Sequence, residues 1–169
     1  MPSNRLSRIV GKIHTLPSSL QSPALTLLFG SQVKFAGTAK VRVHTLTEQQ
    51  AVMSIANKRK VQNHIKGVHA AAMALLAESA TGFLVGMNVP DDKLPLIKSL
   101  KVDYLKRATG NLRGEASLSP AQIKAIHSQE KGEVLVAVTV TDDAGIQPIQ
   151  CEMLWALSTN TAKQITEPH

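Results

Sequence analysis

The chain has 169 residues, of which 43% are hydrophobic and 18% are charged. A chain of this length and composition can bury a core of its own, so it predicts one globular domain and excludes a disordered protein. The formal net charge of +7 and the pI near 9.8 favour an anionic partner, which could be nucleic acid, a phosphate-bearing ligand or a membrane surface. Composition alone does not choose among these three.

The cysteine content and the N-terminus both bear on the compartment. The single cysteine, Cys151, excludes an intrachain disulfide, fits a reducing cytoplasm and is predicted to be a small buried side chain. The N-terminus is basic, but Arg8, Lys12 and His14 interrupt its apolar residues, so it lacks the continuous apolar segment of a signal peptide. The sequence therefore predicts a cytoplasmic protein.

The first half of the chain predicts two amphipathic helices, over about residues 4–14 and 18–29, with a break at Pro17. We expect them to cover an edge or an opening of the core. Residues 37–46 alternate between apolar and basic side chains and predict a strand, and residues 49–56 predict a second one.

A long apolar helix is predicted over about residues 68–86, and the only formal charge between Gly67 and Pro90 is the carboxylate of Glu78. A membrane span would place this carboxylate near mid-bilayer, at a cost of about 2.5 to 3.5 kcal/mol. A core helix surrounded by the rest of the protein is therefore the better interpretation. Gly82 and Gly86 would then mark the close approach of a sheet.

The second half returns to a period of two, which predicts strands over 97–108, 111–118, 133–141 and 149–157. A short helix follows Ser119, its predicted cap, and residues 142–145 predict a hairpin turn between the last two strands. Because one flat sheet would leave so apolar a helix exposed, we predict an α+β fold in which an antiparallel sheet curls around the helix.

The start of the long helix predicts a site for an oxyanion. The first N–H groups of the helix, including those of His69 and Ala70, have no helical acceptor, and Asn63 could add an amide donor. Alternatively, Asn63 caps a turn, and His69 is a structural residue at the helix start whose ring makes its hydrogen bonds within the protein. His64 is interpreted as a solvated loop residue.

Glu78 is the candidate for chemistry, because an unpaired buried carboxylate needs a partner, a raised pKa or a catalytic role. The alternative is a structural ion pair with a nearby lysine. His69 and Glu78 are nine residues apart, so they point to nearly opposite sides of the helix. If both serve one reaction centre, a twofold dimer would supply the donors from one chain and Glu78 from the other.

Other chemistries have little support in the sequence. It contains no GxSxG, GxGxxG, P-loop or CxxC motif, and no pair of histidines at a metal-ligand spacing. We therefore predict neither a metal ion nor a redox cofactor.

The stretch NHIKGVHAAAMALLAESATG, followed by SLKVDYLKRA, resembles the hotdog-fold acyl-CoA thioesterases, in particular the phenylacetyl-CoA thioesterase-like branch and an uncharacterised bacterial relative of it. In that pattern an Asn is followed six residues later by a His and fifteen residues later by an acidic residue, as in Asn63, His69 and Glu78. This chain has His69-Ala70-Ala71 where many members have His-Gly-Gly.

The resemblance implies a hotdog fold that dimerises edge to edge, with extra N-terminal helices at residues 1–33, a hotdog core at 34–159 and a tail at 160–169. It also implies thioester hydrolysis by a homodimer or a dimer of dimers. Glu78 would be the general base or nucleophile, and the N–H of Ala70 and the amide of Asn63 would polarise the carbonyl. His69 belongs to the same set of site residues.

The basic residues then have a specific interpretation, because coenzyme A, as part of the substrate, carries a pyrophosphate and a 3′-phosphate. The candidates for these phosphates are Lys58, Arg59, Lys60, Lys106, Arg107 and Arg113. Nucleic acid is disfavoured because the five aromatic residues are not interleaved with the basic runs. Two alternatives stay open: a non-catalytic acyl-CoA-binding or regulatory protein, and a hydratase or dehydratase that uses His69 and Glu78.

Overall fold

An antiparallel sheet curls around one long helix in the computed structural model, which describes residues 4–129 and 131–159. Within these residues the elements are α1 (Arg5–His14), α2 (Ser18–Gln32), α3 (Lys34–Thr38), β1 (Arg42–Leu46), β2 (Gln50–Ile55), a 3-10 turn (Arg59–Val61), α4 (Ala70–Asn88), β3 (Lys93–Tyr104), β4 (Leu112–Ser117), α5 (Pro120–Ser128), β5 (Gly132–Asp142) and β6 (Ile149–Thr159). The strand order is β1-β2-β4-β5-β6-β3, with β1 and β3 at the edges. The predicted α+β hotdog arrangement is confirmed, while the predicted tail at 160–169 lies outside the described residues.

The central helix α4 is buried on most of its surface. Thirteen of its nineteen residues are buried, as expected of a core helix rather than a surface helix with one apolar stripe. Among the described helices it alone is long and apolar enough to cross a membrane. However, 61% of its apolar 18-residue stretch is buried inside the protein. The sheet and the N-terminal helices thus occupy the surroundings that lipid would fill in a membrane span.

Helix α2 covers the β1 edge of the sheet, as predicted for the N-terminal helices. The Ser22 hydroxyl donates to the Val43 carbonyl at 2.6 Å, and the Val43 N–H donates to Thr26 Oγ1 at 3.0 Å. Two backbone groups of an edge strand thereby gain partners, which prevents them from pairing with another chain.

The side chain of Asn4 ties α1 to the end of α4. Its Oδ1 accepts the N–H of Ser7 at 2.7 Å and so caps α1. Its Nδ2 donates to the carbonyls of Gly86 at 2.7 Å and Val89 at 2.6 Å, which lie in the last turn of α4 and just beyond it. These are carbonyls that a helix end leaves without a helical donor.

The predicted boundaries were wrong in two places. Residues 34–38 form helix α3, so the strand predicted from residue 37 begins only at Arg42; tertiary packing of α3 against α2 and α4 overrides the local alternation. Strand β3 starts four residues earlier than predicted and ends at Tyr104, because it pairs along the whole of β6. The N–H groups of Leu105 and Lys106 then both donate to Pro148 and end the ladder.

Two local predictions were confirmed in detail. Ser119 and Gln122 form a capping box at the start of α5. In the turn between β5 and β6, Gly145 has φ +73°, and Asp142 Oδ1 accepts the N–H groups of Ala144 and Ile146. A left-handed residue at this place explains the glycine.

The close approach predicted at Gly82 is made by a side chain of the sheet. A methyl group on Gly82 would lie 2.5 Å from Cη2 of Trp155, whose indole N–H donates to Thr81 Oγ1 at 3.0 Å. Gly86 is less crowded, because a methyl group there would meet only Leu6 Cδ2, at 3.4 Å. Gly82 therefore fixes the position of Trp155.

Gly82→Ala is expected to destabilise the fold by about 1 to 3 kcal/mol, since the added methyl group overpacks the indole and outweighs the helix propensity of alanine. Gly86→Ala is the matched control and is expected to be neutral or slightly stabilising. Denaturant unfolding of both variants measures the difference, and equal stability of the two would contradict the assigned role of Gly82.

Candidate active site

The first turn of α4 leaves one N–H group available to a ligand. The N–H of Ala71 donates to Nδ1 of His69 at 3.0 Å, and the N–H of Ala72 donates to the His69 carbonyl. In the described part of the chain, the N–H of the exposed Ala70 has no acceptor. His69, Ala70 and Asn63 are called the helix mouth below.

One detail of the predicted mouth was wrong. The N–H of His69 donates to the Val61 carbonyl at 2.8 Å and is not free, because residue 69 is the N-cap and continues the short pairing of Gln62 with Val68. His69 does cap the helix through Nδ1, so its neutral ring has its proton on Nε2.

Asn63 shapes the loop before the helix. Its Oδ1 accepts the N–H groups of Ile65 and Gly67, both at 3.0 Å, as in the turn-capping alternative. The same bonds fix the orientation of the amide, whose Nδ2 has no acceptor among the described residues. The turn role and the donor role are therefore compatible.

Glu78 lies in a cavity of about 290 Å³ between α2, α4, β3 and β6, called the Glu78 cavity below. It is lined by Phe29, Gln32, Val33, Glu78, Ser79, Gly82, Phe83, Gly86, Pro95 and Trp155. Three aromatic side chains thus line the same cavity as Glu78, which is half-buried and carries the only formal charge in this lining. The polar atom nearest in sequence is Ser79 Oγ, which is buried and has no hydrogen-bond partner within the described residues.

The carboxylate of Glu78 has neither an ion pair nor a hydrogen bond in the described structure. The alternative of a structural pair with a lysine therefore finds no support there. Burial raises the pKa of this carboxyl above its usual range, because the apolar surroundings disfavour the charged form. A carboxyl with a raised pKa is a better acceptor of a proton from water than an ordinary one.

The mouth and Glu78 open into different cavities within one chain. The cavity at the mouth, of about 210 Å³, is lined by Phe35, Lys60, His69 and Ala71 among others, but not by Asn63 or Ala70, and it shares no lining residue with the Glu78 cavity. Ala70 and Glu78 are eight residues apart, which is about 12 Å along the helix axis.

Tyr104 contacts the helix mouth, although no pattern in the sequence singles it out. At the end of β3, its hydroxyl donates to the Ala70 carbonyl at 2.8 Å and so joins the strand to the start of α4. Tyr104 lies in an alternating segment, and alternation alone carries no signal for this contact. Phe29, Val33 and Trp155 were likewise not identified as lining Glu78, because they lie far from it in sequence.

Five of the six candidate phosphate ligands lie in two segments next to the loop that precedes α4, and Lys60 among them lines a cavity together with His69. Lys58, Arg59 and Lys60 precede the loop, while Lys106 and Arg107 follow β3, and Arg107 donates to the Ile65 carbonyl. Arg113, the sixth candidate, lies away from these five residues. It alternates on β4 with Gly114, which faces Leu76 of α4, so Arg113 lies on the outer face, where it pairs with Glu115 at 2.7 Å.

Neither a metal centre nor a disulfide is found in the described ranges. No three His, Cys, Asp or Glu side chains lie together there as metal ligands. Cys151 is a free, partly buried thiol, and burial, with Asp103 nearby, raises its pKa to about 11.

The family model "Domain of unknown function (DUF4442)" matches residues 22–157. Among curated proteins, none matches the chain.

Solved structures show the same fold at low identity. A protein of unknown function from Pseudomonas aeruginosa, called a probable thioesterase, is 22% identical with a TM-score of 0.73, over 86% of this chain and 97% of that one. A thioesterase mutant from Staphylococcus aureus is 15% identical with a TM-score of 0.64, over 74% and 98%. A thioesterase from Haemophilus influenzae is 9% identical with a TM-score of 0.66, over 87% and 93%.

Glu78→Gln is expected to make the stability of the protein less sensitive to pH. Because the pKa of Glu78 is raised in the folded state, folding binds a proton between the ordinary and the raised pKa, so wild-type stability falls as pH rises through that window. The variant should match the wild type near about pH 4 and exceed it near about pH 8. Urea unfolding at both pH values measures this.

The exposed Glu152 provides the control, as Glu152→Gln removes a carboxylate from the protein surface. If Glu78→Gln gains no more stability at high pH than this control, the carboxylate of Glu78 is not destabilised by burial.

Proposed function

Because the chain belongs to the DUF4442 family and has the hotdog fold, we propose that it hydrolyses an acyl-CoA thioester to a free acid and coenzyme A. The observation that supports this most is Glu78, an unpaired carboxylate with a raised pKa that is the only formal charge lining its cavity. Thioesterases with this fold occur among the similar structures, which agrees with the assignment.

In the proposed reaction Glu78 acts as the general base. It takes a proton from water while the water oxygen bonds to the thioester carbon. The carbon–sulfur bond then breaks, and the leaving thiolate takes up the proton held by Glu78, which releases the coenzyme A thiol and regenerates the carboxylate. Direct attack by the carboxylate, through an anhydride, is the nucleophilic alternative with the same residue. Neither route requires a metal ion.

The carbonyl oxygen would be held at the helix mouth. The N–H of Ala70 lies at the positive end of the α4 dipole and has no hydrogen-bond acceptor among the described residues. The side-chain Nδ2 of Asn63 likewise has no acceptor among them. Two such donors stabilise the negative charge that develops on the oxygen during attack.

The donors and the carboxylate would come from two chains joined along β3. Four apolar residues of this edge strand are 38 to 53% exposed, namely Leu94, Leu96, Ile97 and Leu100. A long edge strand with exposed apolar side chains and unpaired backbone groups is a surface on which another chain can pair. Tyr104, at one end of β3, contacts the mouth, and Pro95, near the other end, lines the Glu78 cavity. Antiparallel pairing of two β3 strands about their centre brings these two ends together, so each mouth faces the Glu78 of the other chain.

The phosphates of coenzyme A would bind the basic residues around the mouth, namely Lys58, Arg59, Lys60, Lys106 and Arg107. Lys60 supports this placement best, because it lines the cavity at the mouth together with His69. Arg113 is left out, since it lies on the outer face of the sheet in an ion pair.

A hydratase mechanism would use His69 as an acid or base. The bond from the Ala71 N–H occupies its Nδ1, so only Nε2 could exchange a proton with a substrate. A regulatory protein that binds acyl-CoA without hydrolysis would show binding but no thiol release, which separates it from the proposed enzyme.

Mixing two inactive variants tests the two-chain site. Asn63→Ala and Glu78→Ala homodimers should each be at least about a hundredfold less active than wild type, one lacking a donor and the other the base. After random subunit exchange about half of the dimers are mixed, and each mixed dimer has one intact site. Thiol release should therefore recover to about a quarter of the wild-type rate.

Native mass spectrometry with one mass-tagged variant shows whether mixed dimers form. Mixed dimers without recovered activity would place the donor and the carboxylate in the same chain. Parents that retain near wild-type activity would remove these residues from the mechanism.

Competitive inhibition by free coenzyme A is expected to weaken as salt rises, because salt screens phosphate contacts with exposed Lys and Arg. Lys60→Ala should weaken inhibition and reduce its salt dependence. Arg113→Ala removes the same charge from the outer face and should change neither. Inhibition constants measured across a salt series decide the point; an effect of Arg113→Ala as large as that of Lys60→Ala would contradict the proposed binding surface.

A further inference from the structure

We propose that the outer face of α2, together with the basic groove beside it, docks this protein on the surface of an anionic lipid bilayer. The docking surface consists of three apolar side chains on α2 and three basic side chains next to them, namely Leu20, Pro23, Leu27, Lys34, Lys40 and Arg42. It includes none of the proposed site residues, so this inference does not depend on the proposed function.

The outer face of α2 is apolar although it is exposed. The fifteen residues of this helix include no Asp, Glu, Lys or Arg, and its inner face buries Leu25 and Phe29. Leu20 and Leu27 are seven residues apart and so lie two turns from each other on one side of the helix, where they are 51% and 75% exposed. The exposed Pro23 lies between them. A helix that is apolar on all sides is expected to be covered on all sides, so this face indicates a partner.

Three basic side chains border this apolar face. Leu27 lines a broad groove of about 670 Å³ together with Lys34, Lys40 and Arg42. All three basic residues are exposed, and none of them has an ion pair within the described residues. The residues of the described chain that line the groove include no Asp or Glu. An apolar face with a basic border matches an anionic bilayer, whose acyl boundary takes up apolar side chains and whose headgroups attract cations.

The charge of the N-terminal part of the chain has one sign. All twelve Asp and Glu residues follow residue 47, whereas residues 1–47 include Arg5, Arg8, Lys12, Lys34, Lys40 and Arg42. A second copy of this chain is therefore a poor partner, because twofold pairing would place the same basic residues against each other. The exposed leucines also favour lipid over nucleic acid, since a phosphate backbone attracts lysines but buries no leucine.

The docking surface is fixed to the core and adjoins the cavity at the helix mouth. Ser22 and Thr26 of α2 are hydrogen-bonded to β1, so the surface belongs to a packed helix. Thr38 of α3 lines both the basic groove and the cavity at the mouth, and Phe35, which is 68% exposed, lines the latter. A docked protein therefore holds the cavity at the mouth next to the lipid surface.

Co-sedimentation of the full chain with lipid vesicles tests the electrostatic part. Wild type should bind vesicles of equal parts phosphatidylglycerol and phosphatidylcholine at least about tenfold more tightly than pure phosphatidylcholine vesicles, and the difference should shrink as salt rises. Lys34→Gln/Lys40→Gln should weaken binding to the anionic vesicles at least about tenfold, because each basic residue near such a surface contributes about fivefold. Lys124→Gln/Lys131→Gln, which removes two exposed charges in and after α5, is the matched control and should change binding little.

A second pair of variants tests the apolar part. Leu27→Gln should weaken binding to the anionic vesicles about tenfold, since a leucine side chain no longer leaves water on docking. Leu135→Gln is the control, because Leu135 is 52% exposed on β5. Urea unfolding verifies that all variants fold.

Three results overturn the inference. The first is equal binding to the two kinds of vesicle, or to neither. The second is a short DNA duplex bound more tightly than the anionic vesicles, with Leu27→Gln without effect, which would assign the surface to nucleic acid. The third is a Leu27→Gln variant that changes the oligomeric state by native mass spectrometry while vesicle binding matches that of Leu135→Gln, which would assign it to a second copy of this chain.

Discussion

The fold depends on the burial of one nineteen-residue apolar helix on nearly all of its sides. Burial of that kind requires partners all around, so the sheet must curl and the N-terminal helices must cover what the sheet leaves open. It also requires small residues where neighbours come close, as at Gly82 beneath the indole of Trp155. In such surroundings a charge is costly, and Glu78 is the one charge that the helix retains.

The parts of the fold that follow from local chemistry could be predicted from the sequence. Alternation located the strands, an uninterrupted apolar stretch located α4, and Ser119 marked the start of α5. The N-terminal boundary could not be predicted in the same way. Residues 37–41 alternate like a strand, and only the packing of α3 against α2 and α4 makes the first part of them helical.

The candidate site was predictable to a similar extent. The unusual setting of Glu78 and its spacing from Asn63 and His69 are properties of the sequence, while the structure adds that Glu78 lines a cavity and that His69 is the N-cap of α4. The surroundings of the carboxylate were not predictable, because Phe29 and Trp155 reach it from elements about fifty and seventy-five residues away. Free N–H groups also depend on tertiary pairing, which is why the bond from His69 to Val61 was missed.

The contact made by Asn4 means that the beginning of the chain takes part in the integrity of the site. Its amide holds the carbonyl of Gly86, and Gly86 lines the Glu78 cavity. A fusion partner or affinity tag placed at the N-terminus therefore sits a few residues from a hydrogen bond that supports the floor of that cavity. Removal of the first four residues would deprive α1 of its cap and the end of α4 of two donors, so a shortened N-terminus is not a neutral choice for biochemical work on this protein.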